Sequence, residues 1–326
     1  MNLLPTISPI RQRLLILIII SLLCLTPSVF SEDVHHPSIM PPITALELTK
    51  DGKSIIASSQ AGLHIYDYPT LTLQRTIKVK AHNIHDLAFS PDGKLLAVGG
   101  GNPSVEGTVE ILSWSKGTSL RVLKGHRDSV TALSWQDSSS IASGSLDRQI
   151  IIFDIQKGTQ IQVFKGHSKG VSSLCFLNDS NTLVSTGIDQ NIRVWNATTG
   201  ELLRSLNNHT MRVHDLALRP NNSGLPMVAS VSDDQTVRFW QPSIGRMVKF
   251  ARVKAALLNV AWLNNGSMVA AASNDGHVYI INPDTVEVVT VHPAIDGWIY
   301  AMSVHPTNSD IIVGGSNGQI NRIIVK

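Results

Sequence analysis

The sequence predicts an all-β fold assembled from one unit that recurs about every 40 residues. Three observations predict it. The stretch from Gly166 to Asn196 alternates apolar and polar residues in three short runs, around Val171–Phe176, Leu183–Ser185 and Ile192–Trp195, with turn formers between them. That is the pattern of successive β-strands. Its landmarks recur on both sides: Gly125-His126, Ser143, Asp147 and Phe153 before it, and His209, Ser230, Asp234 and Trp240 after it. The spacing is also fixed. The three histidines lie 41 and 42 residues apart, each serine precedes its aspartate by 4, and each aspartate precedes its aromatic residue by 6. Four strands per unit at this period mark a propeller array.

The GH…SxxxD…W residues just quoted resemble the WD40 repeat family. The resemblance implies a seven-bladed β-propeller with four antiparallel strands per blade and a hydrogen-bonded chain across each blade, from Trp to Ser, Ser to His and His to Asp. Indole supplies one donor, a hydroxyl both donates and accepts, and imidazole bridges to the carboxylate. A buried network of this kind rigidifies a sheet only when every member is satisfied. By resemblance His167, Ser185, Asp189 and Trp195 form one structural tetrad, and His209, Ser230, Asp234 and Trp240 a second. The set His126, Ser143, Asp147 and Phe153 departs from the pattern, because Phe has no N–H, and is expected to keep the His–Asp contact and lose one link.

Taken in order, the chain opens with Arg11 and Arg13, an apolar run of 12 residues from Leu14 to Leu25, a break at Thr26-Pro27, and Val29-Phe30-Ser31. This reads as a secretory signal over 1–31, too short to span a bilayer. It leads to the expectation of an extracytoplasmic protein, periplasmic or secreted. Residues 32–326 are read as the propeller. Asp33–Met40 is expected to supply a missing outer strand and close the ring, since the last repeat holds only three strands. The blades are read over 43–79, 80–123, 126–164, 167–206, 209–250, 254–291 and 292–326 plus 33–40. In blade two, Ser90-Pro91-Asp92-Gly93 is a strong turn signal, and Gly99–Glu106 is a Gly/Asn/Pro-rich insertion between Leu95–Val98 and Thr108–Ser113. Blade five carries a longer first turn, Pro220 to Pro226. The tetrad erodes at the ends: blade six keeps Asp275 with Ala271 and Ile281 at the Ser and Trp positions, and blade seven has Asn317 for Asp.

Composition bounds function. The 326 residues are 43% hydrophobic and 16% charged, which suits a folded core and not a disordered chain. Without Arg11 and Arg13 the balance is 25 basic against 24 acidic residues, leaving no basic stripe for nucleic acid. Of the two cysteines, Cys24 goes with the signal, so Cys175 is read as a small buried hydrophobe. Ser, His and Asp recurring at blade period describe a structural network; a catalytic triad occurs once, beside an oxyanion hole. No HExxH, CxxCH or paired-cysteine spacing is present. No catalytic residue, metal site or cofactor is implied. Asn178, Asn196, Asn208, Asn221 and Asn265 open N-x-S/T triplets, read as ordinary turn chemistry.

The expected function is that of a non-enzymatic platform for an unidentified protein partner, a monomeric ring with no membrane anchor once the signal is removed. The expected partner-binding face is made by the loops entering each inner strand and those joining the second and third strands, with His85, Arg127, Asp128, Lys169, Arg212, His214, Trp298 and Tyr300 as candidates. Trp298 and Tyr300 stand out because aromatic residues favour interface anchoring. The alternative is a lactonase-like propeller enzyme or a small-ligand or metal binder at the central channel. It would need convergent carboxylates or histidines there, whereas the inner strands read mostly as Ala, Leu, Ser and Val.

Overall fold

Short alternating runs rich in Val, Ile and Ala, punctuated by Asp-Gly and Asn-Gly turns, leave each segment one apolar face that only a neighbouring sheet can cover. In the computed structural model of the chain, which describes residues 41–60, 62–220, 224–263 and 266–325, those segments form twenty-seven strands, β1 to β27 in chain order, grouped into seven sheets. Every sheet is a simple antiparallel meander: six have four strands and the seventh, among the described residues, has three. One turn of 3₁₀ helix, Pro242–Ile244, ends at Gly245, whose φ of 72° suits glycine. The molecule is a seven-bladed β-propeller.

The inner strands are β1 (Leu46–Leu48), β5 (Asp86–Phe89), β9 (Val130–Trp135), β13 (Val171–Phe176), β17 (Val213–Leu218), β21 (Leu257–Trp262) and β25 (Ile299–Val304). The core lies between blades, one apolar cluster to each seam. Ile56, Leu63, Leu87 and Leu96 join the first two blades; Trp195, Phe164 and Leu174 belong to the cluster between the third and fourth. Ile43, Leu46 and Ile55 meet Ala301 and Ile312, which closes the seventh blade onto the first. Burial of this kind contributes about 25 cal/mol for each Å² of apolar surface removed from water, so the ring is held chiefly by these seams.

The described strands follow the sequence reading closely, with one difference. The glycine-rich stretch after Val98 continues the hairpin. Strand β6 runs Leu95–Asn102 and β7 runs Glu106–Ser113, pairing Gly100 with Thr108 and Asn102 with Glu106. Gly107 faces His126 at the end of β8 (Thr118–His126). A Cβ on Gly107 would overlap the Asp128 carbonyl, so only glycine lets the extended hairpin pass beneath that loop. The expected signal segment, 1–31, and the expected closing strand, Asp33–Met40, lie outside the described residues.

Candidate functional site

The three histidine sets share one geometry. His167 Nδ1–H donates to Asp189 at 3.0 Å, its Nε2 meets Ser185 Oγ at 2.8 Å, and Trp195 Nε1–H donates to the same hydroxyl at 2.8 Å. His209, Ser230, Asp234 and Trp240 repeat this at 2.7, 2.7 and 2.8 Å. His126 keeps Asp147 at 3.0 Å and Ser143 at 2.8 Å, while Ser143 Oγ turns toward the Ile151 carbonyl at 3.3 Å. Phe153 fills the indole's place without a donor, and it is fully buried. Glycine precedes the histidine in blades three and four: at Gly166 a Cβ would sit 2.8 Å from the Trp195 ring, and at Gly125 it would run into the Gln160 side chain.

Each aspartate also anchors the loop that leads into the inner strand, accepting the Arg127, Ser168 or Thr210 amide. Burial opposes ionisation of Asp189 and Asp234, yet their histidine partners hold both carboxyls well below the usual carboxylate range. Burial pushes His209 down, toward the neutral imidazole the chain of bonds requires. These side chains are enclosed and their lone pairs are used, so the geometry buttresses loops and leaves no exposed nucleophile.

The inner strands, just past those loops, surround a cavity of about 450 Å³ at the mouth of the channel. Of the eight candidate face residues, His85, Arg212, His214, Trp298 and Tyr300 line it, together with Thr44, Thr131, Ser172 and Leu258. Trp298 is 49% and Tyr300 38% exposed, their rings meeting edge to face at 6.1 Å. His214 Nε2 is bonded to Asp233 at 2.8 Å, and burial lowers the pKa of His85, His214 and Arg212. Arg127, Asp128 and Lys169 lie outside the cavity. Asp128 is committed to the Ser104 and Ser129 amides at 2.9 and 2.8 Å, a loop-fixing role.

The inner strands are less uniformly neutral than their composition suggests. Glu47, Asp86 and Asp215 sit inside them. Burial, with the Asp86 charge adding to it, pushes Glu47 up to about 8, and burial pushes Asp86 up to about 7; Asp215 is raised for the same reason. The sequence reading missed all three. A signal was available, since His-Asp-Leu-Ala occurs both at 85–88 and at 214–217. These carboxylates are occupied: Asp86 accepts the Leu87 and Leu133 amides, and Asp215 accepts Leu216 and Val260 amides plus the Ser173 hydroxyl. Among the described residues no group of three or more His, Cys, Asp or Glu side chains is arranged to hold a metal ion. Cys175 is half-buried in β13, and burial pushes its thiol up to about 12, which keeps it protonated.

Residues 46–260 match the family model described as "Nucleolar protein 10-like, N-terminal domain". The chain belongs to that family. A model of the WD domain, G-beta repeat, also matches residues 253–282, within the sixth blade. Relatives of this WD-repeat propeller include the B-type cell cycle switch protein ccs52B of Medicago truncatula, 28% identical over 180 residues, covering 54% of this chain and 36% of the relative. Periodic tryptophan protein 2 of Arabidopsis thaliana is 27% identical over 236 residues, 71% of this chain and 25% of the relative. The anaphase-promoting complex subunit cdc20 of Dictyostelium discoideum is 26% identical over 206 residues, 61% and 40%. The chain thus spans less than half the length of these curated relatives. By name the first is a cell cycle switch protein and the last a complex subunit, and the chain is a WD-repeat propeller. The same matches overturn the expectation of an extracytoplasmic protein, because the family model is described by a nucleolar protein and two of these relatives carry cell-cycle names. A short apolar run after two arginines is a compositional pattern, and it carries less information than similarity spread across the blades.

Proposed function

We propose that this propeller is a protein-interaction platform whose partner seats on the channel mouth, with Trp298 and Tyr300 as the anchors. The observation that carries the reading is the pair of half-exposed aromatic rings on the rim of a 450 Å³ cavity. Large rings left in water on a rigid rim become favourable contacts when a partner covers them. Arg212, His85 and His214 line the same cavity and tune which partner fits. Relatives named as a cell-cycle switch protein and a complex subunit support a role within assemblies. The channel-ligand alternative loses support because the carboxylates it would use, Asp86 and Asp215, already accept backbone amides.

The experiment is a paired affinity capture, with the intact chain and a Trp298→Ala/Tyr300→Ala variant as baits and identical far-ultraviolet circular dichroism as the folding control. The reading predicts one protein retained by the first bait and lost, or weakened by about 30-fold or more, with the second, since anchors cost about 2 kcal/mol or more. Equal retention on both baits would contradict it.

A further inference from the structure

The seven inner strands share one register, so equivalent positions can be compared blade by blade. The segments are Pro42–Leu48, Asn83–Phe89, Ser129–Trp135, Gly170–Phe176, Arg212–Leu218, Ala256–Trp262 and Trp298–Val304. A register shift at the third position of the last four, at Ser172, His214, Leu258 and Tyr300, fixes the alignment. Side chains at four of these positions reach across to the backbone of an adjacent blade.

At the third position, Thr44 donates to the Ile84 carbonyl at 2.6 Å, Thr131 to the Val171 carbonyl at 2.6 Å, and Ser172 to the Val213 carbonyl. At the fourth, Asp86 accepts the Leu133 amide at 2.6 Å, Ser173 the Leu216 amide at 3.2 Å, and Asp215 the Val260 amide at 3.0 Å. At the sixth, Ser134 accepts the Phe176 amide at 3.3 Å. At the seventh, Trp135 and Trp262 donate back to the Ala88 and Ala217 carbonyls at 3.0 and 2.9 Å. The five seams from blade one to blade six each carry at least one such bond. The seam between blades seven and one is tied differently: the Ile43 amide donates to the Gly315 carbonyl, His305 meets the Gly52 carbonyl at 3.1 Å, and Tyr68 bonds Asp310, which Arg322 also grips at 2.6 Å.

The seam between blades six and seven breaks the series. Its third, fourth and sixth positions are Leu258, Asn259 and Ala261, and Val304 stands where a bridging Trp would reach back. Leu, Ala and Val side chains form no hydrogen bond. Asn259 could, yet its Oδ1 is buried without a partner. Among the described residues no inner-strand side chain bridges this seam; Leu263, Ala270, Ile280, Ile299, Ile311 and Val313 pack it instead.

We infer that the seam between blades six and seven is the shear plane of the ring. Apolar packing is non-directional, so β21 and β25 slide past one another without breaking an oriented bond. At the other seams the same displacement severs a bond to a buried backbone group. Trp298 and Tyr300 stand on the seventh blade, so this motion reshapes the mouth on its aromatic side.

Backbone amide hydrogen exchange on the intact chain tests this. Met302, the counterpart of Leu133, Leu216 and Val260, exchanges about 10-fold or more faster than those three. Asn259→Asp recreates the acceptor of Asp86 and Asp215 toward Met302, and Ala261→Ser recreates that of Ser134 toward Val304. Each substitution slows exchange at its target amide and leaves Leu133 and Leu216 unchanged. Exchange at Met302 as slow as at its counterparts would overturn the inference. So would exchange left unchanged at the target amide of every variant that folds.

Discussion

Ser185 and Ser230 each meet an imidazole and an indole, whereas Ser143 meets an imidazole and a backbone carbonyl but no indole. That difference sets a graded expectation. Ser185→Ala and Ser230→Ala each strand a buried indole N–H and cost about 1–3 kcal/mol. Ser143→Ala strands none and costs less, and urea unfolding of the three variants shows the order. Glu47 sets a pH expectation. Its folded pKa, about 8, is above its ordinary value, so the neutral form is favoured in the fold. For an acid raised in this way, stability is fully present below the unfolded value and is lost as pH rises through the folded one. Glu47→Gln removes that loss. The Tm of the variant minus that of the parent therefore grows as pH is raised from about 5 to about 8, and a flat difference would show that Glu47 is not buried as a neutral acid.

At the scale of strands and hairpins, the sequence showed what depends on local pattern. Alternation, Asp-Gly turns and the His, Ser, Asp and Trp spacing placed the strands of all seven blades, and even the eroded blades six and seven. The hairpin of β6 and β7 was under-read, because glycine-rich segments suggest loops and their pairing became visible only against Asp128 and His126. Gly107→Ala should destabilise the molecule by about 1–3 kcal/mol through overpacking against the Asp128 carbonyl, measured as a lower urea midpoint. The inter-blade bonds were illegible for a related reason. Asp86 finds its amide at Leu133 and Asp215 finds its own at Val260, 47 and 45 residues on, and no single repeat contains both partners. The seam between the sixth and seventh blades lacks these bonds, and the seventh blade also carries the exposed rings of Trp298 and Tyr300, a coincidence that only the register of the assembled ring reveals.

The whole molecule joins these scales. Tetrads hold the loops, apolar seams hold the blades, and the loops frame a mouth whose polar wall, from blade one to blade five, is largely consumed by internal bonds. Thr44, Asp86, Thr131, Ser172, Asp215 and His214 are all engaged. On the proposed reading a partner takes the aromatic arc. A partner spanning blades six and seven there binds the native ring and not the unfolded chain, so it raises Tm in proportion to the logarithm of its concentration. Thermal scans at increasing partner concentration should show that rise for the parent and not for Trp298→Ala.

The central claim is that the aromatic arc of the mouth is the partner-binding surface. A photoreactive phenylalanine analogue placed at Trp298, with a second chain carrying it at Val289 on the outer strand β24 (Val288–Pro293), tests it directly, since both positions are about half exposed, 49% and 52%. On irradiation in native extract, position 298 should yield one discrete protein adduct that position 289 does not. An adduct from 289 alone, or the same adducts from both, would contradict the account and move the interaction to the rim of the propeller.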